Sequence, residues 1–221
     1  MARLHLVRHG QTTSNVLKRL DTALPGASLT DFGARQAARF ALEQPPRGEV
    51  VVVSSLARRA RETAALIGSV WGVEAGTVDG VHEVQVGDLE DRWDSDAHEV
   101  FRTVVDRWYG GEPDVEIPGG ESLSQVRSRF LPVIDGLVRD HLSADDPPDV
   151  YLVSHGAAIR LVAAHLAGID GEFAAATHLN NLGSIELDLV DGRWECRRWG
   201  AVFAPFEPPQ VDEPLVVDPM G

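Results

Sequence analysis

The chain has 221 residues, with 34 acidic against 20 basic side chains and a formal net charge of −14, a balance that argues against nucleic acid or an anionic membrane as partner. Hydrophobic residues make up 43% and charged residues 24%, as in a globular chain able to bury a large core, and no apolar run reaches the roughly 18 residues of a membrane span. The N-terminus enters an apolar strand pattern with no room for a secretory leader, and the single cysteine, Cys196, excludes an intrachain disulfide or a cysteine-rich metal site, so a cytoplasmic protein is expected.

Taken in order, Leu4 to Val7 form a short apolar run that breaks into Arg8-His9-Gly10 and a polar loop ending at Asn15. A strand that stops there delivers reactive groups to its carboxyl edge, where open α/β sheets bind ligands. Arg8 offers a planar fork of donors for phosphate or carboxylate, and Gly10 permits close backbone approach. Leu29-Thr30-Asp31-Phe32-Gly33 opens a helix with Thr30 as N-cap, and Pro45-Pro46-Arg47-Gly48 ends it. Glu49 to Ser54 is a β-branched run typical of a strand buried on both faces. It passes through Ser54-Ser55 into a helix from Leu56 to Trp71. Arg58, Arg59 and Arg61 fall at that helix's N-terminal end, where the macrodipole favours anions. A bound anion would reconcile this, and a solvated basic face is the equally weighted alternative.

Residues 76 to 94 read as a short strand and loop containing His82-Glu83, followed by a helix from Asp94 to Tyr109 and a loop-rich stretch to Gly120. Gly119-Gly120-Glu121-Ser122 opens a long helical pattern to about His141, with Pro132 as a candidate kink. After the loop Asp145–Asp149, the run Val150 to Ser154 is a second buried strand ending in His155-Gly156 and feeding a helix over Ala157–Ala167. Ser184–Val190 and Trp194–Trp199 flank Asp191-Gly192 as a closing hairpin. The tail from Ala204 holds five of the thirteen prolines and should be extended.

Two apolar strands that each deliver a His-Gly to one sheet edge are far less expected by chance than one. Arg8-His9-Gly10 with Thr12 and Asn15, Leu29 to Gly33 with Gln36-Ala37, and Ser54-Ser55 with Arg59 to Ala64 occur in order. Glu83 with Gly87 and Glu90, Gly119 to Ser122, and Ser154-His155-Gly156 complete the set. On these motifs the chain resembles the histidine phosphatase superfamily, or phosphoglycerate-mutase-like family, over roughly residues 3 to 190. The resemblance implies a three-layer α/β/α sandwich with a mostly parallel central sheet. We expect one domain over 1–203 with a lid-like subregion at about 80–120, and a proline-rich extended tail at 204–221. The resemblance also implies that His9 attacks phosphorus, and that Arg8, Arg59 and a charged His155 bind the phosphoryl oxygens with Thr12, Asn15 and Gly156. Glu83 would be general acid, then base. No metal or other cofactor is then needed, because arginines and histidine take its place. The global negative charge does not oppose an anionic substrate: the Debye length is about 8 Å. An arginine about 4 Å from a phosphate charge is worth on the order of 4 kcal/mol at an effective dielectric near 20.

Departures from the pattern are Leu56 where many relatives carry proline and Asp91 where glycine is common. Ser14 stands where the mutase branch has tryptophan, and the stretch from Glu83 to Gly120 is short for a mutase. The last two favour a phosphatase acting on a small phosphorylated metabolite. Sugar phosphates, phosphoglycerate derivatives and nucleotides all fit the motifs. A phosphoglycerate-mutase-type phosphoryl transfer and a non-catalytic phospho-ligand binder are the alternatives. His5, His82, His98, His141, His165 and His178 read as structural or exposed, with His82 closest to the site. Trp93, Trp108 and Tyr109 read as packing in the lid, with lining of the substrate pocket as the alternative.

Overall fold

In the computed structural model, residues 2–144 and 146–207 are described; most of the expected C-terminal tail, 208–221, lies outside them. Seven strands form one sheet: β1 (Ala2–Arg8), β2 (Val50–Ser55), β3 (Gly76–Val78), β4 (Asp149–Ser154), β5 (Ser184–Val190), β6 (Arg193–Trp199) and β7 (Val202–Phe203). Their order is β3-β2-β4-β1-β5-β6-β7. The four strands from β3 to β1 run parallel, and β5, β6 and β7 continue antiparallel. The central strands β1, β2 and β4 therefore end together at one edge, with Arg8 beside Ser154 and Val153 beside Ser54.

Seven helices accompany the sheet among the described residues: α1 (Thr13–Val16), α2 (Asp31–Glu43), α3 (Arg58–Trp71), α4 (Ser95–Tyr109), α5 (Leu123–Leu137), α6 (Gly156–Ala167) and α7 (Gly171–Ala176). The sheet's pleat splits its apolar residues between two faces. Val7, Val52, Tyr151 and Val153 join Phe40, Ala60, Ala64 and Ile67 of α2 and α3 on one side. Leu4, Leu6, Val150, Leu152, Ile185 and Leu187 meet Phe130 and Ile134 of α5 and Ile159 and Val162 of α6 on the other. The result is the expected three-layer α/β/α arrangement. A third cluster, Val84, Val86, Phe101, Val104, Trp108 and Ile117, packs the 84–117 segment against Leu123, Val126, Ala157 and Leu161.

Thr30 caps α2 as expected, its hydroxyl accepting the Gly33 N–H. Pro132 lies inside α5, and beyond Leu137 the helix widens into a π turn at Val138–Leu142. α7 had no counterpart in the sequence pattern, because six residues are too short to show periodicity. Trp93 corrects the packing expectation: it is 63% exposed, with the Arg19 guanidinium 5.1 Å from its ring centre. Trp108 is buried, and its indole N–H reaches the Val115 carbonyl.

His5 of β1 is buried and stacked on Tyr151, ring centres 4.0 Å apart, with the Glu186 carboxylate 3.7 Å away. Burial outweighs that carboxylate and lowers the His5 pKa from 6.5 to about 4. An unfolded chain therefore binds a proton that the folded chain refuses as pH falls below 6.5. Stability is full above that pH and declines towards 4, by about 3 kcal/mol at pH 4 from this residue. His5→Phe should flatten the acid limb of unfolding free energy between pH 6.5 and 4, measured by urea titration. Identical slopes in the two proteins would contradict it.

Candidate functional site

The common edge of β1, β2 and β4 carries the site. β1 sits between β4 and β5, so the backbone just beyond it stays fixed: the Arg8 N–H donates to the Gly183 carbonyl and the His9 N–H to that of Ser154. The Gly10 N–H then donates to Thr63 Oγ1. A Cβ on Gly10 would lie 2.7 Å from the Gly33 carbonyl oxygen, so only glycine lets the loop turn against the start of α2. That contact gives the Leu29–Gly33 motif its purpose. Gln36 accepts the Gln11 N–H, and Thr30 donates to the Gln11 side chain.

The His9 ring is buried, with Nδ1 2.8 Å from the Gly10 carbonyl. A carbonyl only accepts, so Nδ1 carries the proton and Nε2 keeps its lone pair. Nε2 in turn accepts from Arg59 Nε at 3.1 Å. Burial first, then the charges of Arg59 and Arg8, hold the His9 pKa well below 6.5, and the ring is neutral.

Arg59 enters from the first turn of α3, whose N-cap Ala57 supplies no side-chain bond. The three clustered arginines divide. Arg58 pairs with Glu62 on the surface, and Arg58 and Arg61 line a separate groove beside Thr77. Arg59 alone is buried at the site. Its Nη2 donates to the Asp21 carbonyl, while its buried Nη1 makes no hydrogen bond among the described residues and lies 3.7 Å from the Asp21 carboxylate. The same Nε–H that reaches His9 also reaches His155 Nδ1 at 3.2 Å, and the two imidazoles meet edge to face, 5.2 Å between centres.

His155 corrects an expectation. Its Nδ1 accepts from Arg59 and its Nε2 lies 3.0 Å from Ser55 Oγ. Burial, followed by the charge of Arg59, drives its pKa well below 6.5. An imidazolium has no acceptor nitrogen to offer Arg59, so the ring is neutral, not charged. Gly156 opens α6 behind the pocket and is not among the residues lining it.

Glu83 comes from the loop after β3 and is also buried. Its Oε1 accepts the N–H groups of Val84 and Ala158, and Oε2 accepts that of Ala157 at 3.2 Å. The N-terminal amides of α6 thus hold a carboxyl group of the chain itself. Burial raises the Glu83 pKa above 4.5, against the lowering effect of these N–H bonds and of Arg59.

Arg8, His9, Thr12, Asn15, Arg59 and Glu83 line one pocket, together with Ser14, Arg19 and Asp21. Thr12 caps α1 in a reciprocal box with Asn15. The Asn15 Oδ1 also accepts from Asn181, whose amide holds the His9 carbonyl, which leaves the Asn15 nitrogen for the pocket. Arg8 reaches the Leu179 carbonyl at 2.6 Å. Arg19, Asp21 and Asn181 went unread in the sequence. The two charged residues follow Asn15 closely in the same loop, and that proximity was the available signal. Asn181 is brought in only by the fold. His82 stays outside the pocket, and His98 hydrogen-bonds the Lys18 carbonyl. No cluster of His, Cys, Asp and Glu suited to a metal ion occurs among the described residues, and no helix there is long and apolar enough to cross a membrane.

The profile of the histidine phosphatase superfamily (branch 1) matches residues 4–202. The chain belongs to the histidine phosphatase superfamily. It is 27% identical over 203 residues to a Yersinia pestis protein described as a probable phosphoglycerate mutase, covering 90% of each chain. Among superfamily structures, a mycobacterial glucosyl-3-phosphoglycerate phosphatase is 28% identical with a TM-score of 0.74, over 90% of this chain and 99% of that one. A phosphoserine phosphatase mutant from Entamoeba histolytica, in complex with phosphoserine, shares the fold at 21% identity. Its TM-score is 0.73, over 91% of this chain and 98% of that one.

The tight Gly10–Gly33 approach generates a test. Gly10→Ala should displace the His9 loop, cost about 1–3 kcal/mol of stability and weaken binding of inorganic phosphate, read by melting temperature and calorimetry. A variant with unchanged stability and phosphate affinity would contradict the packing described.

Proposed function

We propose that the protein is a metal-independent phosphatase of small phosphate monoesters, working through a phosphohistidine on His9. The observation that carries this reading is the His9 tautomer, whose Nε2 lone pair is held beside an arginine with a spare donor. The Arg59 Nε–H hydrogen bond passes from Nε2 to a phosphoryl oxygen, and the freed Nε2 lone pair attacks phosphorus as the ester P–O bond breaks. Arg8, Arg59 and the amide of Asn15 bind the phosphoryl oxygens, a stabilisation that grows as charge develops. The leaving oxygen takes its proton from Glu83 Oε2, which accepts one fewer backbone N–H than Oε1. The Glu83 carboxylate then takes a proton from water, whose oxygen attacks phosphorus and breaks the P–N bond. The raised Glu83 pKa suits this role, since the acid form must be populated to donate.

Phosphoglycerate-mutase-type transfer uses the same groups, and the 27% identical relative supports it. Hydrolysis is favoured by Ser14 at the pocket, the short segment between Glu83 and Gly120, and the likeness to a glucosyl-3-phosphoglycerate phosphatase. A leaving group in this pocket would meet Ser14, Arg19 and Asp21, which suits a polar metabolite. A non-catalytic binder would have no use for a carboxyl group with a raised pKa lining the same pocket as an unprotonated His9 Nε2.

Rapid quenching with a labelled phosphate ester should trap acid-labile, base-stable phosphate. His9→Ala should abolish label and turnover, and a strong chelator should change neither. Turnover in His9→Ala, or loss to chelator restored by a metal ion, would overturn the mechanism. With 3-phosphoglycerate and a bisphosphoglycerate primer, phosphate release is expected; fast 2-phosphoglycerate formation without release would favour the mutase. The pH dependence has a defined sign. Activity on an alkyl phosphate should fall as pH rises through the Glu83 pKa, because the proton donor is lost, and Glu83→Gln should remove that limb while lowering the rate by ~10²–10⁴.

A further inference from the structure

The Gly119-Gly120-Glu121-Ser122 motif contributes nothing to the pocket lining, and what it does becomes visible one turn and a half into α5. Ser122 caps that helix in a reciprocal box with Gln125, which sets the helix start and so the place of Arg129. The Arg129 guanidinium has five N–H donors, and each has an acceptor. Nε and one Nη2 donor hold the two oxygens of Glu121, at 2.7 and 2.8 Å. Nη1 donates to the carbonyls of Gly80 and His82, both at 2.8 Å, and the other Nη2 donor reaches the carbonyl of Glu83 at 3.0 Å. Ser154 Oγ donates to the carbonyl between them, that of Val81, at 2.7 Å. Every carbonyl from residue 80 to 83 is therefore held by a side chain, in a stretch that belongs to no helix or strand.

Glu121 closes the arrangement from the other side. Its Oε2 also accepts the Gln85 N–H, and its own N–H donates to the Gln85 carbonyl. Gly120 lies so close to this segment that a Cβ would stand 2.3 Å from the Gln85 oxygen. The loop that carries Glu83 is thus clamped on both flanks, by Arg129 before it and by Glu121 after it. The carboxyl group itself rests on the amides of Ala157 and Ala158.

We propose that Arg129, oriented by Glu121, is a positioning residue for Glu83, fixing the loop so that the carboxyl group faces the leaving oxygen. The proposal rests on the reading of Glu83 as general acid. Lysine cannot substitute, because three donors on a flexible stem cannot serve three carbonyls and a bidentate carboxylate. The phosphoryl-binding groups stand on β1, α1 and α3 and do not depend on this clamp.

The test compares Arg129→Lys, Glu121→Gln and Glu83→Gln in the full-length protein. The phosphorylation rate is measured by single turnover on an alkyl phosphate and on nitrophenyl phosphate, whose leaving group departs without a proton. Inorganic phosphate inhibition and the melting temperature are measured alongside. Arg129→Lys should slow the alkyl ester by roughly 10- to 100-fold, the scale of a slightly misplaced catalytic group. The nitrophenyl ester and the phosphate inhibition constant should stay close to wild type, and Glu121→Gln should follow the same pattern more weakly. A merely structural ion pair would lower the melting temperature and slow both esters equally, which would overturn the proposal. So would selectivity confined to Glu83→Gln. Loss of selectivity in Glu83→Gln itself would overturn the general-acid reading, and the positioning role with it. If Arg129→Lys does not fold, Glu121→Gln, which keeps the volume but replaces one acceptor oxygen with an NH2 donor, decides by the same criterion.

Discussion

A single N–H group, Nε of Arg59, is shared between the lone pairs of two buried imidazoles, His9 Nε2 at 3.1 Å and His155 Nδ1 at 3.2 Å. Much of the site follows from it. A cation lodged against two imidazoles keeps both neutral, since protonating either would bring like charges together where little water screens them. Each ring's far nitrogen must then be the protonated one, and each has a fixed acceptor: the Gly10 carbonyl for His9 and Ser55 Oγ for His155. Of the remaining Arg59 nitrogens, Nη2 is anchored on a carbonyl, and Nη1, near the Asp21 carboxylate, makes no hydrogen bond among the described residues.

The sheet makes this meeting geometrically cheap. Parallel strands β1, β4 and β2 end at a common edge, so residues far apart in sequence, His9, Ser55, Arg59 and His155, arrive together without long loops. Glu83 is the exception, arriving on an irregular segment. Such a segment has no ladder to hold its backbone polar groups, and each must find a partner when buried. Here side chains supply them, and the dense bonding around residues 80–83 is the counterpart of placing the Glu83 carboxyl group off the sheet.

The strands and most helices were legible because burial on two faces leaves continuous β-branched runs, as in Val50–Val53, and caps such as Thr30 announce helix starts. The paired His-Gly endings made the site's edge legible too. What could not be read there depends on tertiary surroundings. The neutrality of His155 comes from burial beside Arg59, which no local pattern encodes. Asn181 and the Leu179 carbonyl lie in a turn after the short helix α7, with no periodicity to mark it. Trp93 looked like a core residue by composition, yet it stands exposed over Arg19. Arg129 carries no local signal, since nothing along the chain shows which carbonyls it meets.

The central claim is that His9 is a neutral Nδ1–H tautomer whose Nε2 carries no proton and accepts the Arg59 Nε–H. Nitrogen-15 NMR of histidine-labelled protein reads this directly, because protonated and bare ring nitrogens resonate far apart. The account predicts a protonated Nδ1 and a bare Nε2 for His9, assigned by loss of its signals in His9→Gln, with no titration as pH is lowered through 6.5. A His9 ring protonated on Nε2, or one that gains its second proton near pH 6.5, would contradict it.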